Sequence, residues 1–504
     1  MTGPTGPASR FVDSIATGEF AAARARLGAF PLDDLRRPLP LRYRPTASVG
    51  EPPAPVPATA NAVGSGSIGR ALLELDSGKT SCVALLDDAL RAIDHRDGEL
   101  NAVVELLTGP ARAGAEALDA ELADGRPLRP LHGIPVTVKD VIDVGGVATR
   151  CGSEAYHDLP LVDAEGVARL RAAGAVVLAK VTTHEFALGV TSPQSRNPFD
   201  PTRIPGGSSG GSAIAVATGM GLGSLGTDTR ASIRVPAALS GVVGLKPTFG
   251  RVPTTGVVSL SWTMDHVAPM ATTVSDAARL LAVLLDDPSV LPTEEEPAVG
   301  LAAMLGRGLR VGVPSAAFAG TDPDIAAAVT AVVDGLAARG HDPVALATPS
   351  AADLDDANAI GLLISRTEAA SFHRRIGTDL DRCWVEIADQ LRAAGSIAAV
   401  DYLDAQRARA TLADRFRALF VDHDVLVMPT TPVVAPPGDA FAEYLMVLSR
   451  NAIPWSLVGF PAISIPCGRS ADGLPMGVQL VAAPGEDALL VAAGRVVEAV
   501  VAGA

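Results

Sequence analysis

The chain has 504 residues, 48% of them hydrophobic, which is enough to bury a large core. With 41 basic against 56 acidic residues its net charge is −15, and no sustained basic cluster offsets it, which argues against nucleic acid or an anionic membrane as partner. Cys82, Cys151, Cys383 and Cys467 lie far apart with neither CxxC nor Cys/His spacing, so a disulfide scaffold and a zinc site are disfavoured and buried free thiols are expected.

The opening "MTGPTGPASRF" has no basic n-region and no apolar h-region, so a cytoplasmic chain is expected. Residues 10–30 read as a helix and the Pro-rich stretch 45–67 as a linker, so residues 1–67 are expected to form an N-terminal arm and residues 68–504 one domain. The arm is a candidate contact for a homodimer. From Ile68 onward, helical patterns near 68–77, 82–95, 110–123 and 164–173 alternate with the strand-like runs "NAVVELL", "IPVTVKD" and "AVVLAK". The uncharged run from Ile204 to Thr227 holds too many glycines and serines to span a membrane. Thr273 is a candidate helix cap, with an acid at Asp276 in the matching position. "LRVGVP", a helix-rich 323–421, "DVLVMP", "AISIP", "MGVQLVA" and a last helix over 485–501 continue the alternation. The pattern predicts an α/β protein, a single large domain with a mixed sheet covered by helices.

From Arg203 to Arg251 runs "RIPGGSSGGSAIAVATGMGLGSLGTDTRASIRVPAALSGVVGLKPTFGR", which holds five serines before Ser240 and no histidine. Gly221–Gly226, "GLGSLG", fits G-x-G-x-x-G, the pattern that seats a dinucleotide pyrophosphate at a helix N-terminus. It follows the helix-like "SAIAVAT" instead of a strand and precedes a proline, so a tightly packed bend is expected there. Gly207–Gly211, "GSSGG", fits the G-x-S-x-G nucleophile elbow with Ser209 attacking, yet an elbow needs a preceding strand and "NPFDPTRIPG" holds three prolines. No phosphate-cradling P-loop pattern occurs.

There remains a serine site served by a lysine base. Lys139 ends the buried-strand pattern of "LHGIPVTVKDVIDVGG", where desolvation favours the neutral amine; the competing reading is a salt bridge to Asp140 or Asp143. A lysine of pKa ~10.4 needs about 4 kcal/mol of environmental bias to be neutral near pH 7, which burial can supply.

Taken together, "GIPVTVKD", "RIPGGSSGGSA", "GTDTRASIRVPAALSGVVGLKPTFGRV", "LSWTMDHVAPM", "VGFPAISIPCG" and "GLPMGVQLV" resemble, in order, the landmarks of the amidase signature family, from about Ile68 to the C-terminus. The resemblance implies a mixed, twisted central sheet with helices on both faces, and a Ser-cisSer-Lys triad in place of Ser-His-Asp. It implies Ser232 as nucleophile, Ser208 as proton relay across a cis Gly207–Ser208 peptide, and Lys139 as base. It further implies an oxyanion hole from the backbone N–H groups of Thr229, Arg230, Ala231 and Ser232, a brace from Asp228 and Arg234, and no metal or organic cofactor. The implied reaction cleaves the C–N bond of a small carboxamide or urea-like substrate through a Ser232 acyl-enzyme.

One departure stands out: the family usually has glycine before the nucleophile, where this chain has Arg230 and Ala231. Both can still offer N–H groups if φ stays negative. Arg230 is therefore a candidate contact for an anionic substrate group, or else a structural brace. The helical region around 350–400 is expected to wall the pocket, with His373 in a packing role. Two other functions fit the same landmarks: the A subunit of a tRNA-dependent amidotransferase, and a catalytically impaired amidase-fold protein of binding or assembly.

Overall fold

Short runs of valine, isoleucine and leucine lay down the strands of a single eleven-stranded sheet in the computed structural model, which describes residues 8–30, 67–291, 297–439 and 444–503. The strands are β1 (Val103–Leu106), β2 (Pro135–Lys139), β3 (Val176–Val181), β4 (Gly223–Asp228), β5 (Val243–Lys246), β6 (His266–Ala271), β7 (Arg310–Pro314), β8 (Asp342–Leu346), β9 (Val425–Pro429), β10 (Ala462–Arg469) and β11 (Pro475–Ala482). Their order is β1-β3-β2-β4-β6-β5-β10-β11-β9-β7-β8. β2 runs parallel to both β3 and β4, and β7 parallel to β8 and β9, while β4, β6, β5, β10, β11 and β9 pair antiparallel in succession. The sheet is therefore mixed. Every residue of β2, β3, β4, β5, β6, β9 and β11 is buried, and a strand buried on both faces requires a helical layer on each side.

Most sequence expectations hold at element level. The helices Ser67–Asp76, Cys82–Leu100, Thr108–Ala123, Glu165–Ala172 and Asp487–Ala502 stand where the patterns put them. Thr273 caps the helix Val274–Leu285, its hydroxyl accepting from Asp276 N at 3.1 Å. The Asp276 carboxylate serves a second helix as well: it accepts from Ile68 N (3.2 Å) and Gly69 N (3.1 Å), the orphan donors opening the helix Ser67–Asp76.

Two expectations are corrected. "GLGSLG" is not a bend, since from Gly223 onward it is the interior strand β4. Glycine there permits close helix packing: a Cβ on Gly223 would lie 2.6 Å from Leu280 Cδ1, and one on Gly226 2.8 Å from Ile233 Cδ1. The segment 323–421 is helix-rich as expected, and it also holds the edge strand β8. Cys82, Cys151 and Cys467 are buried free thiols, but Cys383 is half-exposed.

The first helix, Ala8–Ala29, docks onto the body. Phe20, Ala23, Leu27 and Phe30 are buried in a second core with Leu363, Phe416 and Trp455, and Arg26 pairs with Asp356 at 2.6 Å. These four apolar residues, in and just after the helix's second half, are thus used within the chain. The Pro-rich linker assigned to 45–67 lies outside the described residues except at Ser67. Among the described residues no helix is long and apolar enough to cross a membrane.

Candidate active site

β2 and β4 are parallel neighbours, so their C-terminal ends open at the same edge of the sheet. Lys139 is the last residue of β2 and Asp228 the last of β4. Lys139 is fully buried, and its Nζ donates to Ser208 Oγ at 2.7 Å and to Thr227 Oγ1 at 2.8 Å. Neither carboxylate next to it in sequence is its partner: Asp140 pairs with Lys180 at 2.9 Å, and Asp143 accepts from Thr149 Oγ1. Burial pushes the Lys139 ammonium down to about 7, with Asp228 and then Asp265 opposing the shift.

Ser208 follows a cis peptide from Gly207. Its carbonyl accepts from His184 N (3.2 Å) and from Ser192 Oγ (3.0 Å), which fixes the serine from the outer side. A side chain on Gly207 would strike the backbone of this same loop, with Thr191 N 2.6 Å from a Cβ. Ser209 is engaged otherwise. Its Oγ donates to Thr227 O at 3.1 Å and its N–H to Ser232 O at 3.2 Å, so it ties the Gly207–Gly211 segment to the end of β4 and the loop after it. The elbow reading fails here, because no strand leads into Gly207–Gly211.

That loop, Thr229 to Ile233, joins β4 to the helix Arg234–Ser240. Asp228 and Arg234 close it from below as a fully buried pair, with Nε to Oδ2 at 3.0 Å and Nη2 to Oδ1 at 3.1 Å. Arg234 Nη1 also donates to Ala452 O and Gln479 Oε1, each at 2.8 Å, and Ser456 Oγ donates to Asp228 Oδ1 at 2.8 Å. Burial alone would raise the Asp228 carboxyl, but the Arg234 charge and its bonds hold it well below the usual carboxylate range. The short loop this closes carries Ser232 almost out of contact with solvent.

Arg230 and Ala231 are not among the residues with positive φ, so the loop needs no glycine at either position. Among the described residues no backbone acceptor takes the N–H groups of Ala231 and Ser232. Arg230 is half-buried, and its carbonyl lies 3.5 Å from Arg234 Nη2.

Several participants stand in the quoted landmarks without a role assigned to them from sequence. Thr227 meets the lysine through the register of β4 beside β2. Asp265 accepts from Thr229 Oγ1 at 2.6 Å, and His266 Nδ1 donates to Asp228 O at 2.9 Å. His373 is buried against Phe186, with ring centroids 4.3 Å apart, and its Nδ1 meets Thr378 Oγ1, the packing role expected of it.

The sequence profile of the Amidase family matches residues 84–491. Over 417 residues the chain is 36% identical to an amidase of Pseudomonas putida, spanning 80% of this chain and 89% of that protein. Over 460 residues it is 36% identical to the A subunit of the glutamyl-tRNA(Gln) amidotransferase of Synechococcus sp. (strain WH7803), spanning 83% and 93%. It also matches, with a TM-score of 0.77 and 34% identity over 86% of this chain and 98% of the other, a structure from an unexpected vestigial protein complex that reveals the evolutionary origins of an s-triazine catabolic enzyme.

Proposed function

Because the chain belongs to the Amidase family, whose enzymes hydrolyse amides, we propose that it cleaves the C–N bond of a small carboxamide or urea-like compound through an acyl-enzyme on Ser232. The observation that carries this reading is Lys139, a buried amine that burial pushes down to about 7 and that donates to two hydroxyls and to neither Asp140 nor Asp143. In the proposed cycle neutral Lys139 draws a proton from Ser208 while Ser208 draws one from Ser232, whose Oγ attacks the carbonyl. The backbone N–H groups of Thr229, Arg230, Ala231 and Ser232 receive the developing oxyanion. Ser208 then returns a proton to the departing nitrogen, and water activated through the same relay releases the acid. No cofactor takes part in this scheme.

Urea-like substrates are included on chemical grounds. An s-triazine ring alternates carbon and nitrogen, so its ring-opened fragments carry urea-type carbonyls, and the likeness to the s-triazine-related structure supports that class. Arg230, within the nucleophile loop, is the proposed contact for an anionic substrate group. Loss of kcat/KM in Arg230→Ala for carboxylated amides but not for neutral ones would support the contact; equal loss for both would overturn it.

The test of the whole reading is labelling with a fluorophosphonate and peptide mapping, followed by an amide panel with ammonia detection. Modification of Ser232, abolished in Ser232→Ala and strongly slowed in Lys139→Ala and Ser208→Ala, is the expected result. Modification of Ser209 instead would overturn the assignment, and modification nowhere would favour a non-catalytic binding protein. A second reading, the A component of a tRNA-dependent amidotransferase, is supported by the 36% identity to that relative. It predicts copurification with partner proteins and ammonia release from glutamine.

A further inference from the structure

The nucleophile loop is held from two sides, and the second side involves residues to which the proposed chemistry assigns nothing. Below it lies the Asp228–Arg234 pair. Across the sheet, β6 pairs antiparallel with β4 so that Asp228 stands opposite His266. The first residue of β6 and the one before it hold the last residue of β4 and the first of the loop: His266 Nδ1 donates to Asp228 O at 2.9 Å, and Asp265 Oδ1 accepts from Thr229 Oγ1 at 2.6 Å. Because a carbonyl accepts at Nδ1, His266 is the Nδ1–H tautomer, and its bare Nε2 accepts from Lys246 Nζ at 3.3 Å.

Asp265 is itself immobilised. It also accepts from Ser259 Oγ (2.8 Å), Leu260 N (3.1 Å) and Ser261 N (3.0 Å). Ser261 Oγ in turn donates to the buried Glu368 at 2.6 Å, which also accepts from Thr263 N, Thr263 Oγ1 and Tyr402 OH. Arg409 anchors the outer end through Thr263 O at 2.8 Å. A chain of hydrogen bonds thus runs from the helices Ala351–Ile376 and Ala399–Ala418 to the first residue of the nucleophile loop.

We propose that Asp265 is a positioning residue of the catalytic centre: through Thr229 it sets the place of the loop that presents Ser232 and its N–H donors, and its negative charge acts on the amine of Lys139. This deepens the hydrolase reading and rests on it. The electrostatic half has a definite sign. Asp265 is the second anion, after Asp228, that favours the ammonium form of Lys139, so removing its charge makes Lys139 a weaker base that is neutral at lower pH. Burial lifts the Asp265 carboxyl itself to about 6, opposed by Thr229, Ser259 and Ser261 and reinforced by the Glu368 charge. The other charged and titratable groups around it are Arg409 and Tyr402 behind Glu368, the Asp228–Arg234 pair, and neutral His266 backed by Lys246.

The experiment compares wild type with Asp265→Asn, Thr229→Val and Thr229→Ser by fluorophosphonate labelling and by the pH dependence of kcat/KM on an amide that the wild type hydrolyses. Thr229→Val is expected to lower kcat by about 10- to 100-fold with little change in KM, as a misplaced oxyanion loop would. Thr229→Ser, which keeps the hydroxyl, is expected to recover most of the rate. Asp265→Asn is expected to lose rate and also to move the acid limb of kcat/KM to lower pH, which a purely structural residue would not do. Wild-type kcat in Thr229→Val, or an unmoved acid limb in an active Asp265→Asn, would overturn the inference while the hydrolase reading stands. If Asp265→Asn does not fold, the Val and Ser pair at position 229 decides: equal rates in the two overturn it. Failure of wild type to label at Ser232 would overturn both, and the wild-type control distinguishes that case.

Discussion

At the scale of single residues, burial shifts Lys139 from a permanent cation toward its neutral amine. The free ammonium titrates near ~10.4, and desolvation brings it to about 7 against the opposing pull of Asp228 and Asp265. The proposed base acts in its neutral form, so kcat/KM is expected to rise with pH through an acid limb near 7 and to level off above it. A profile flat from pH 5 to 8 would remove Lys139 from the mechanism. Position 139 was legible in sequence as the end of a buried strand, but two readings stayed open there. They were separated by a distance that no local pattern contains, since Asp140 turns away to Lys180. Arg234 makes a different case, a buried guanidinium whose partners are all fixed. Arg234→Ala leaves Asp228 buried and uncompensated and is expected to lower stability by about 3–5 kcal/mol in urea titration. Arg234→Lys is expected to recover little of it, because one ammonium cannot replace the fork that reaches Asp228, Gln479 and Ala452 together.

At the scale of elements, periodicity found those with a clear apolar pattern and missed those built from small residues. β2, β3 and β9 are runs of branched apolar side chains and were legible. β4, "GSLGTD", has almost none, and its glycines point to a turn until the packing of Leu280 and Ile233 against it is known. The helix Ala8–Ala29 was legible as a helix, but its docking was not, because its apolar face is equally suited to a dimer or to the body of the same chain. Phe20, Leu27 and Phe30 each bury a side chain that contributes about 1.5–3 kcal/mol. Removal of residues 1–30 is therefore expected to lower the melting temperature and to expose apolar surface on the helix Ala351–Ile376, detected as binding of a hydrophobic dye. An unchanged melting temperature would show that the helix adds nothing to this core.

At the scale of the whole molecule, the site draws on residues from Lys139 to Gln479, gathered by one sheet whose strand order departs widely from chain order. No part of the chain holds the site alone, so activity and the burial of Trp455 are expected to be lost together in denaturant; activity lost well before the tryptophan emission shifts would point to an independently melting site. The sequence by itself determined the α/β class, most strand and helix positions, and the ordered landmarks of the family, because these depend on local periodicity and on residue identity at fixed spacing. Tertiary structure alone decided between the salt-bridge and the hydroxyl readings of Lys139, added Thr227 to its partners, and showed that Ser209 ties two segments together and that Asp265 holds Thr229. Each of those contacts joins residues whose separation in the chain is large compared with any helical or strand period, so only strand register and burial could bring them within hydrogen-bonding distance.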